Sequence, residues 1–248
     1  MSNELRVQKD ITTEEEILKN IKSILEFYQA MGFETLPIKL ELIVQRSVRN
    51  SEPQTPSSEL DKKTALMALR NDIGDCTRCR LSKERTNIVF GEGNPDARLM
   101  FIGEAPGREE DIQGRPFVGD AGRLLTRLIE KMGFKREDVY IANIVKCRPP
   151  LNRDPEKDEI EICRVFVEKQ IEIIKPEVII SLGRISAQTL IGNDRLKMTS
   201  IRGNFFEYKG IPLMPTFHPA YLLRNPKDKW LTWSDAQKVL ERLKSVKG

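Results

Sequence analysis

The sequence predicts an α/β protein: a three-layer α/β/α sandwich around a central, mainly parallel four-stranded sheet, preceded by an N-terminal helical extension. Three observations carry this reading. First, four short runs are almost wholly apolar: RLMFIG (Arg98–Gly103), VYIANIVK (Val139–Lys146), EVIISL (Glu177–Leu182) and IPLMPTF (Ile211–Phe217). Second, helical periodicity falls around them, at Ala121–Met132, Glu156–Ile174, Ile185–Ile191 and about Ser234–Lys244. Strands without polar alternation are buried on both faces, and their alternation with helices predicts a parallel sheet covered on each side. Third, each run ends in a polar or turn-rich segment: GEAPG, KCRPP, LGR and HPAY. In open α/β sheets ligands bind at the carboxyl ends of the strands.

The first 58 residues read as a separate extension and linker, with the main domain over 59–248. Within residues 13–31, Ile17, Leu18, Ile21, Ile24, Leu25 and Tyr28 recur at helical spacing, and Thr13 with Glu16 forms a capping box. Leu36–Val48 gives a second, shorter helix, and NSEPQTPSSE (50–59) a polar, proline-containing linker. Such amphipathic helices pack on a core, dimerise or take a protein partner.

Composition excludes several classes. With 39% hydrophobic and 31% charged residues the chain is neither fibrous nor disordered. No apolar run is long enough to cross a bilayer, and MSNELRVQKD has no signal-like apolar stretch, so an intracellular protein without membrane contact is expected. A monomer is expected. Residues 1–60 carry seven Lys/Arg against ten Asp/Glu, whereas the whole chain is +4. A polyanion would therefore meet the basic body rather than the acidic leader. Residues 194–230, with seven basic and three acidic side chains, suit phosphate contact.

Four cysteines, Cys76, Cys79, Cys147 and Cys163, are too few for a disulfide scaffold. Cys76-Thr-Arg-Cys79 places two thiolates on one metal centre. Cys147 ends a predicted strand and Cys163 lies in the next helix, so both can converge on that pair. Unligated buried thiols and a zinc site are the alternatives; a second C-x₂-C knuckle is missing, which favours a 4Fe–4S cluster over zinc. Arg78, Arg80, Lys83, Arg85, Lys146 and Arg148 surround these cysteines in sequence, as phosphate contacts or simply as a solvated face.

GEAPGREEDIQGRPFVGDAGRLL (103–125) runs from a strand end into a helix, with Gly103 and Gly107 permitting close backbone approach to a ligand. It contains neither GxxxxGK[ST] nor GxGxxG, so these nucleotide fingerprints are excluded. Taken together, GEAPGREEDIQGRPFVGDAG, IANIVKCRPP, LGR-x-SAQ-x-L, HPAYLLRNP and the four cysteines resemble the family-four uracil-DNA glycosylases over roughly residues 65–245. The resemblance implies a monofunctional enzyme that removes uracil from DNA, leaves an abasic site, carries a 4Fe–4S cluster on Cys76, Cys79, Cys147 and Cys163, and has an α/β/α fold.

It also implies roles. Uracil-containing DNA would be the partner, its deoxyuridine flipped into a pocket. Phe117 would stack on the base, with Gly103 and Ala105 in the binding loop. Asn143 would donate to uracil O4 and accept from N3–H, a pattern that cytosine reverses. Glu110 would crowd out thymine's methyl group. His218, ending the fourth strand, would donate to uracil O2 as negative charge develops there. Glu104, the one acid in GEAPG, would orient or activate water; relatives use an aspartate one residue later, where this chain has Ala105. Leu222 and Leu223 would wedge into the stack, with Arg224 as a further DNA contact. No lysine lies in GEAPG or HPAYLLR, so a Schiff-base lyase is not indicated. The alternative is a non-turnover binder that traps the site covalently through its histidine, but that type carries a Gln in the first motif and an added basic loop, both absent here.

Overall fold

The computed structural model describes residues 59–245, and the expected helices at 13–31 and Leu36–Val48 lie outside them. Among the described residues six strands form one sheet: β1 (Glu92–Gly93), β2 (Leu99–Gly103), β3 (Tyr140–Asn143), β4 (Val178–Leu182), β5 (Phe206–Tyr208) and β6 (Ile211–Thr216), in the order β1-β3-β2-β4-β6-β5. The four expected strands are the central parallel ones. The sheet is wider than expected because β1 and β5 add a short antiparallel strand at each edge. Neither edge strand has an apolar run; each is two or three residues long and only partly buried.

The helices are α1 (Glu59–Ile73), α2 (Arg108–Gln113), α3 (Asp120–Lys131), α4 (Lys157–Ile174), α5 (Arg184–Ile191), α6 (Met198–Ile201), α7 (Pro219–Arg224) and α8 (Lys229–Ser245). Strand geometry sends successive side chains to opposite faces. Met100 and Ile102 of β2 therefore join α1 and α4 in one core, through Leu66, Leu69, Phe166 and Ile171. Leu99 and Phe101 join α3 and α8 in the other, through Leu125, Ile129, Val239 and Leu243. Met100, Phe101 and Ile102 are fully buried, each contributing about 1.5–3 kcal/mol of transfer free energy. The three-layer reading holds.

Two prolines in β6 are tolerated for a local reason. Pro212 pairs only with β5 and Pro215 only with β4, so each sits where β6 has one neighbouring strand. At the other end of the sheet, pairing continues past β3: Ile144 N–H donates to Gly103 O at 3.0 Å and Val145 N–H to Glu104 O at 3.1 Å. This carries the GEAPG loop away from the sheet in register with the segment that follows Asn143.

The first turn of α3 lies against the backbone of Phe117. A Cβ on Gly122 would stand 1.9 Å from the Phe117 carbonyl oxygen. Gly122→Ala is expected to push α3 off this loop and destabilise the fold by about 1–3 kcal/mol. Thermal unfolding should show a Tm several degrees lower; an unchanged Tm would contradict the packing described.

Candidate active site

Beyond the carboxyl ends of β2, β3 and β6 opens a cavity of about 400 Å³ lined by Glu104, Phe117, Asn143 and His218, with Ala105, Glu110 and Arg224 also in its wall. These residues are far apart in sequence and meet because their strands are adjacent and parallel. Gly103 of β2 is directly opposite Asn143 of β3. A Cβ at Gly103 would lie 2.4 Å from Asn143 Oδ1 and 2.5 Å from the Phe117 ring. The glycine thus lets the amide and the ring come together at the cavity floor.

Asn143 is 1% exposed and its Oδ1 has no hydrogen-bond partner. Leaving a buried acceptor unpaired costs about 1–3 kcal/mol, so the site holds an acceptor ready for a ligand N–H. Phe117 is buried with φ at +51°, a left-handed conformation that a bulky residue adopts only under constraint. The constraint comes from Glu110. Its carboxylate accepts from Val118 N–H at 2.8 Å, Gly119 N–H at 3.0 Å and Gly107 N–H at 3.1 Å, closing the loop on itself. Arg136 adds a bond to Pro116 O at 2.6 Å while holding Glu92 of β1 at 2.9 Å. Glu110 therefore lines the cavity with its oxygens occupied in holding the Phe117 loop.

His218 caps α7: its Nδ1 accepts from Ala220 N–H at 3.1 Å. That bond assigns the neutral tautomer with the proton on Nε2. Burial, with Arg224 nearby and Glu110 opposing, lowers the His218 pKa to about 4. The Phe117 and His218 ring centroids are 5.6 Å apart. Glu104 is shifted the other way, up to about 7, by burial and then by Asp154, with Arg184 opposing. Asp154 lines the same cavity and pairs with Arg184 at 2.5 Å. At neutral pH the site thus offers a neutral N–H donor and a carboxylate near its midpoint. Among the described residues no lysine lines the cavity.

Cys76, Cys79, Cys147 and Cys163 converge on a second, much smaller cavity walled by Ile73, Ile88, Ile162 and Phe166. Donors reach three of the sulfurs: Arg78 to Cys76 at 3.4 Å, Arg85 to Cys147 at 3.5 Å, and Lys146 N–H to Cys163 at 3.2 Å. Burial pushes the Cys147 thiol up to about 12 and that of Cys163 up to about 11. Among the described residues no group of three His, Cys, Asp or Glu side chains is gathered as a lone metal ion would require.

Some sequence expectations are corrected. Leu222 is 3% exposed, turned toward α3 and α8 among Leu124, Leu128 and Trp233, so it is not free to enter a base stack. Only its neighbour Leu223 is exposed. Lys146 is buried rather than phosphate-facing: its ammonium donates to Asn143 O at 2.9 Å and Gln170 Oε1 at 2.6 Å. Arg85 is half-buried and pairs with Asp75, and Arg80 pairs with Asp158 and Glu156. Sequence reasoning missed Asp111, which is buried and accepts from Thr86 and Asn87 N–H at 2.9–3.1 Å, tying α2 to the segment after the cysteine pair. It also missed Gln170, which donates to Phe90 O and Tyr140 OH. A polar residue inside an amphipathic helix gives no signal of its own.

His218 is the chain's one histidine, so its ring resonances are unambiguous. Its folded pKa lies below the ordinary value of about 6.5, so the unfolded chain binds the proton first and stability falls as pH drops below that value. NMR titration should give a midpoint near pH 4 with an Nε2–H tautomer at neutral pH; a midpoint at or above the ordinary value would contradict the assignment.

The Uracil DNA glycosylase superfamily profile matches residues 90–244. The type-4 uracil-DNA glycosylase of Saccharolobus solfataricus is 50% identical over 185 residues, covering 71% of this chain and 86% of that protein. The type-4 enzyme of Thermotoga maritima is 52% identical over 154 residues, covering 62% and 80%. That of Sulfurisphaera tokodaii is 44% identical over 185 residues, covering 71% and 84%. With this similarity spanning the cavity and its flanking strands, the chain belongs to the uracil-DNA glycosylase superfamily and, within it, to the type-4 glycosylases.

Proposed function

We propose that the protein hydrolyses the N-glycosidic bond of deoxyuridine in DNA, releasing uracil and leaving an abasic site for base excision repair. One observation carries the reading: the buried, unpartnered Oδ1 of Asn143 in a cavity shared with Phe117 and the Nε2–H of His218. Uracil N3–H is the donor that this acceptor lacks, and uracil O4 accepts from the amide nitrogen. Cytosine has no N3 proton and presents an amine where O4 stands, so it leaves both groups unpaired. Sites built on such pairs reject the wrong base strongly. Phe117 supplies a stacking face for the flipped ring.

The reaction breaks the C1′–N1 bond with its electron pair leaving on uracil, so the sugar becomes cationic and the base anionic. His218 donates from Nε2 to O2, where negative charge accumulates, and being neutral it needs no proton removed or added to do so. A donor of this kind is worth about 10²–10³ in rate. Glu104, when ionised, stabilises the sugar cation, orients the attacking water and accepts its proton. The one in-plane lone pair of the His218 ring, on Nδ1, is engaged by Ala220 N–H while Nε2 carries the proton, so neither nitrogen is poised for covalent trapping.

We further propose that the cysteine cavity holds a 4Fe–4S cluster. The donor set fits: four sulfurs on one apolar cavity, three of them receiving hydrogen bonds of the type that supports bound thiolates. A cluster spreads its ligands over several irons, and the second C-x₂-C knuckle usual in a Cys₄ zinc site is missing from the chain. When bound, it would join the Cys76–Cys79 turn, the segment after β3 and α4 into one unit, and would take no part in hydrolysis.

Purified protein should release free uracil with turnover from U-containing oligonucleotides and leave alkali-labile sites; a stable protein–DNA adduct would support the trapping alternative instead. His218→Ala should fold normally and lose about 10²–10³ in single-turnover rate; near-wild-type turnover would refute its role. For the wild type, kcat/KM should rise with pH up to about 7 and then level off, as Glu104 ionises in the free enzyme. Glu104→Gln should remove that limb; a limb that survives belongs to another group. The protein should be brown and contain iron and inorganic sulfide in equal amounts, whereas a colourless zinc protein would overturn the cluster assignment.

A further inference from the structure

Flipping a nucleotide leaves a gap in the base stack, and proteins that flip bases commonly fill it with an apolar side chain. Leu222 is buried and unavailable for this. Two exposed leucines flank the cavity: Leu223 of α7, 40% exposed, and Leu151, in the turn that follows Cys147. Leu151 is 95% exposed, more than any other large apolar residue described. Asn152, the next residue, and Pro149, two residues before, both line the cavity, so Leu151 stands on the rim of the active site.

The turn holds it there rigidly. Leu151 and Asn152 are successive left-handed residues, with φ at +54° and +55°, and neither is glycine. Such strain persists only where the surroundings over-determine it, and it concentrates at functional sites. Here Pro149 and Pro150 fix two backbone angles. Asn152 N–H donates to Pro149 O and Arg153 N–H to Pro150 O, both at 3.1 Å. Arg148 Nε donates to Asn152 Oδ1 at 2.7 Å, and Arg153 clamps the buried Glu159 with two bonds at 2.7 and 2.9 Å. A backbone already fixed in the geometry that projects the side chain adds little ordering cost when it binds. Arg148, bonded to a neutral amide, keeps its full charge beside the tip, and Arg224 lies in the wall of the same cavity.

We propose that Leu151 is a DNA-penetrating side chain: it enters the duplex stack where the nucleotide leaves, while Arg148 engages flanking phosphate. The inference rests on the glycosylase reading above, and duplex DNA offers both an apolar base stack for the tip and phosphates for the adjoining cations. Two assays separate it from that reading. In single-turnover excision, Leu151→Ala should be about tenfold slower than wild type on U:A duplex, the equivalent of about 1.4 kcal/mol, and unchanged on the same uracil strand unpaired, where no stack has to be filled. In fluorescence anisotropy with a duplex bearing a tetrahydrofuran abasic analogue, Leu151→Ala should bind about tenfold more weakly but match wild type on intact duplex. Circular dichroism checks that this surface variant is folded. Normal excision and normal abasic-duplex binding by Leu151→Ala would overturn the proposal and leave the glycosylase reading standing, as would equal losses on single- and double-stranded substrate. If the wild type excised no uracil while Leu151→Ala still lost abasic-duplex affinity selectively, the glycosylase reading would fall and the penetrating role would stand.

Discussion

The register of β2 against β3 governs the site. It sets Gly103 opposite Asn143 at the end of both strands, and the missing side chain on one creates room for the amide of the other. A shift by one residue would turn Asn143 to the opposite face and bring a side chain into the cavity floor. With the register as it is, a buried amide oxygen is left without a partner, an energetic debt that a ligand N–H removes. The same glycine admits the edge of Phe117, so acceptor and stacking face are placed together by one backbone position.

The other features of the site hold that arrangement in place. Glu110 closes the loop that carries Phe117, Arg136 ties it to β1, and Gly122 lets α3 approach its backbone. On the opposite side, Lys146 links the Asn143 carbonyl to Gln170 through its side chain, and its own N–H reaches Cys163. Asp111 bridges α2 to Thr86 and Asn87, a few residues beyond Cys79. The cysteine cavity and the Asn143 cavity are therefore neighbours in one hydrogen-bonded framework, which the proposed cluster would brace.

Much of this was legible in the residues, for reasons that also explain what was not. The four central strands announce themselves because burial on both faces leaves no polar alternation, and β1 and β5 stay hidden because short edge strands need no such run. Asn143 stands out as a polar group within an apolar run and His218 as one at the end of another, and the structure brings both to the same cavity as Phe117 and Glu104. The Leu222–Leu223 pair was misread in part: a one-turn helix buries one face, and periodicity over six residues does not say which. Leu151 gave no signal because its meaning lies in exposure and a left-handed backbone. Glu110, Asp111 and Lys146 were visible as charges, but their bonds to backbone groups depend on tertiary closure. The extension before residue 59 lies outside the described structure.

The account stands most directly on where a uracil ring sits. A crystal structure of the protein with uracil, or with abasic DNA and uracil, should place N3 at about 2.7–3.2 Å from Asn143 Oδ1, the ring against Phe117 and O2 toward His218 Nε2. A ring bound outside this cavity, or one that leaves the Asn143 oxygen still unpartnered, would contradict it.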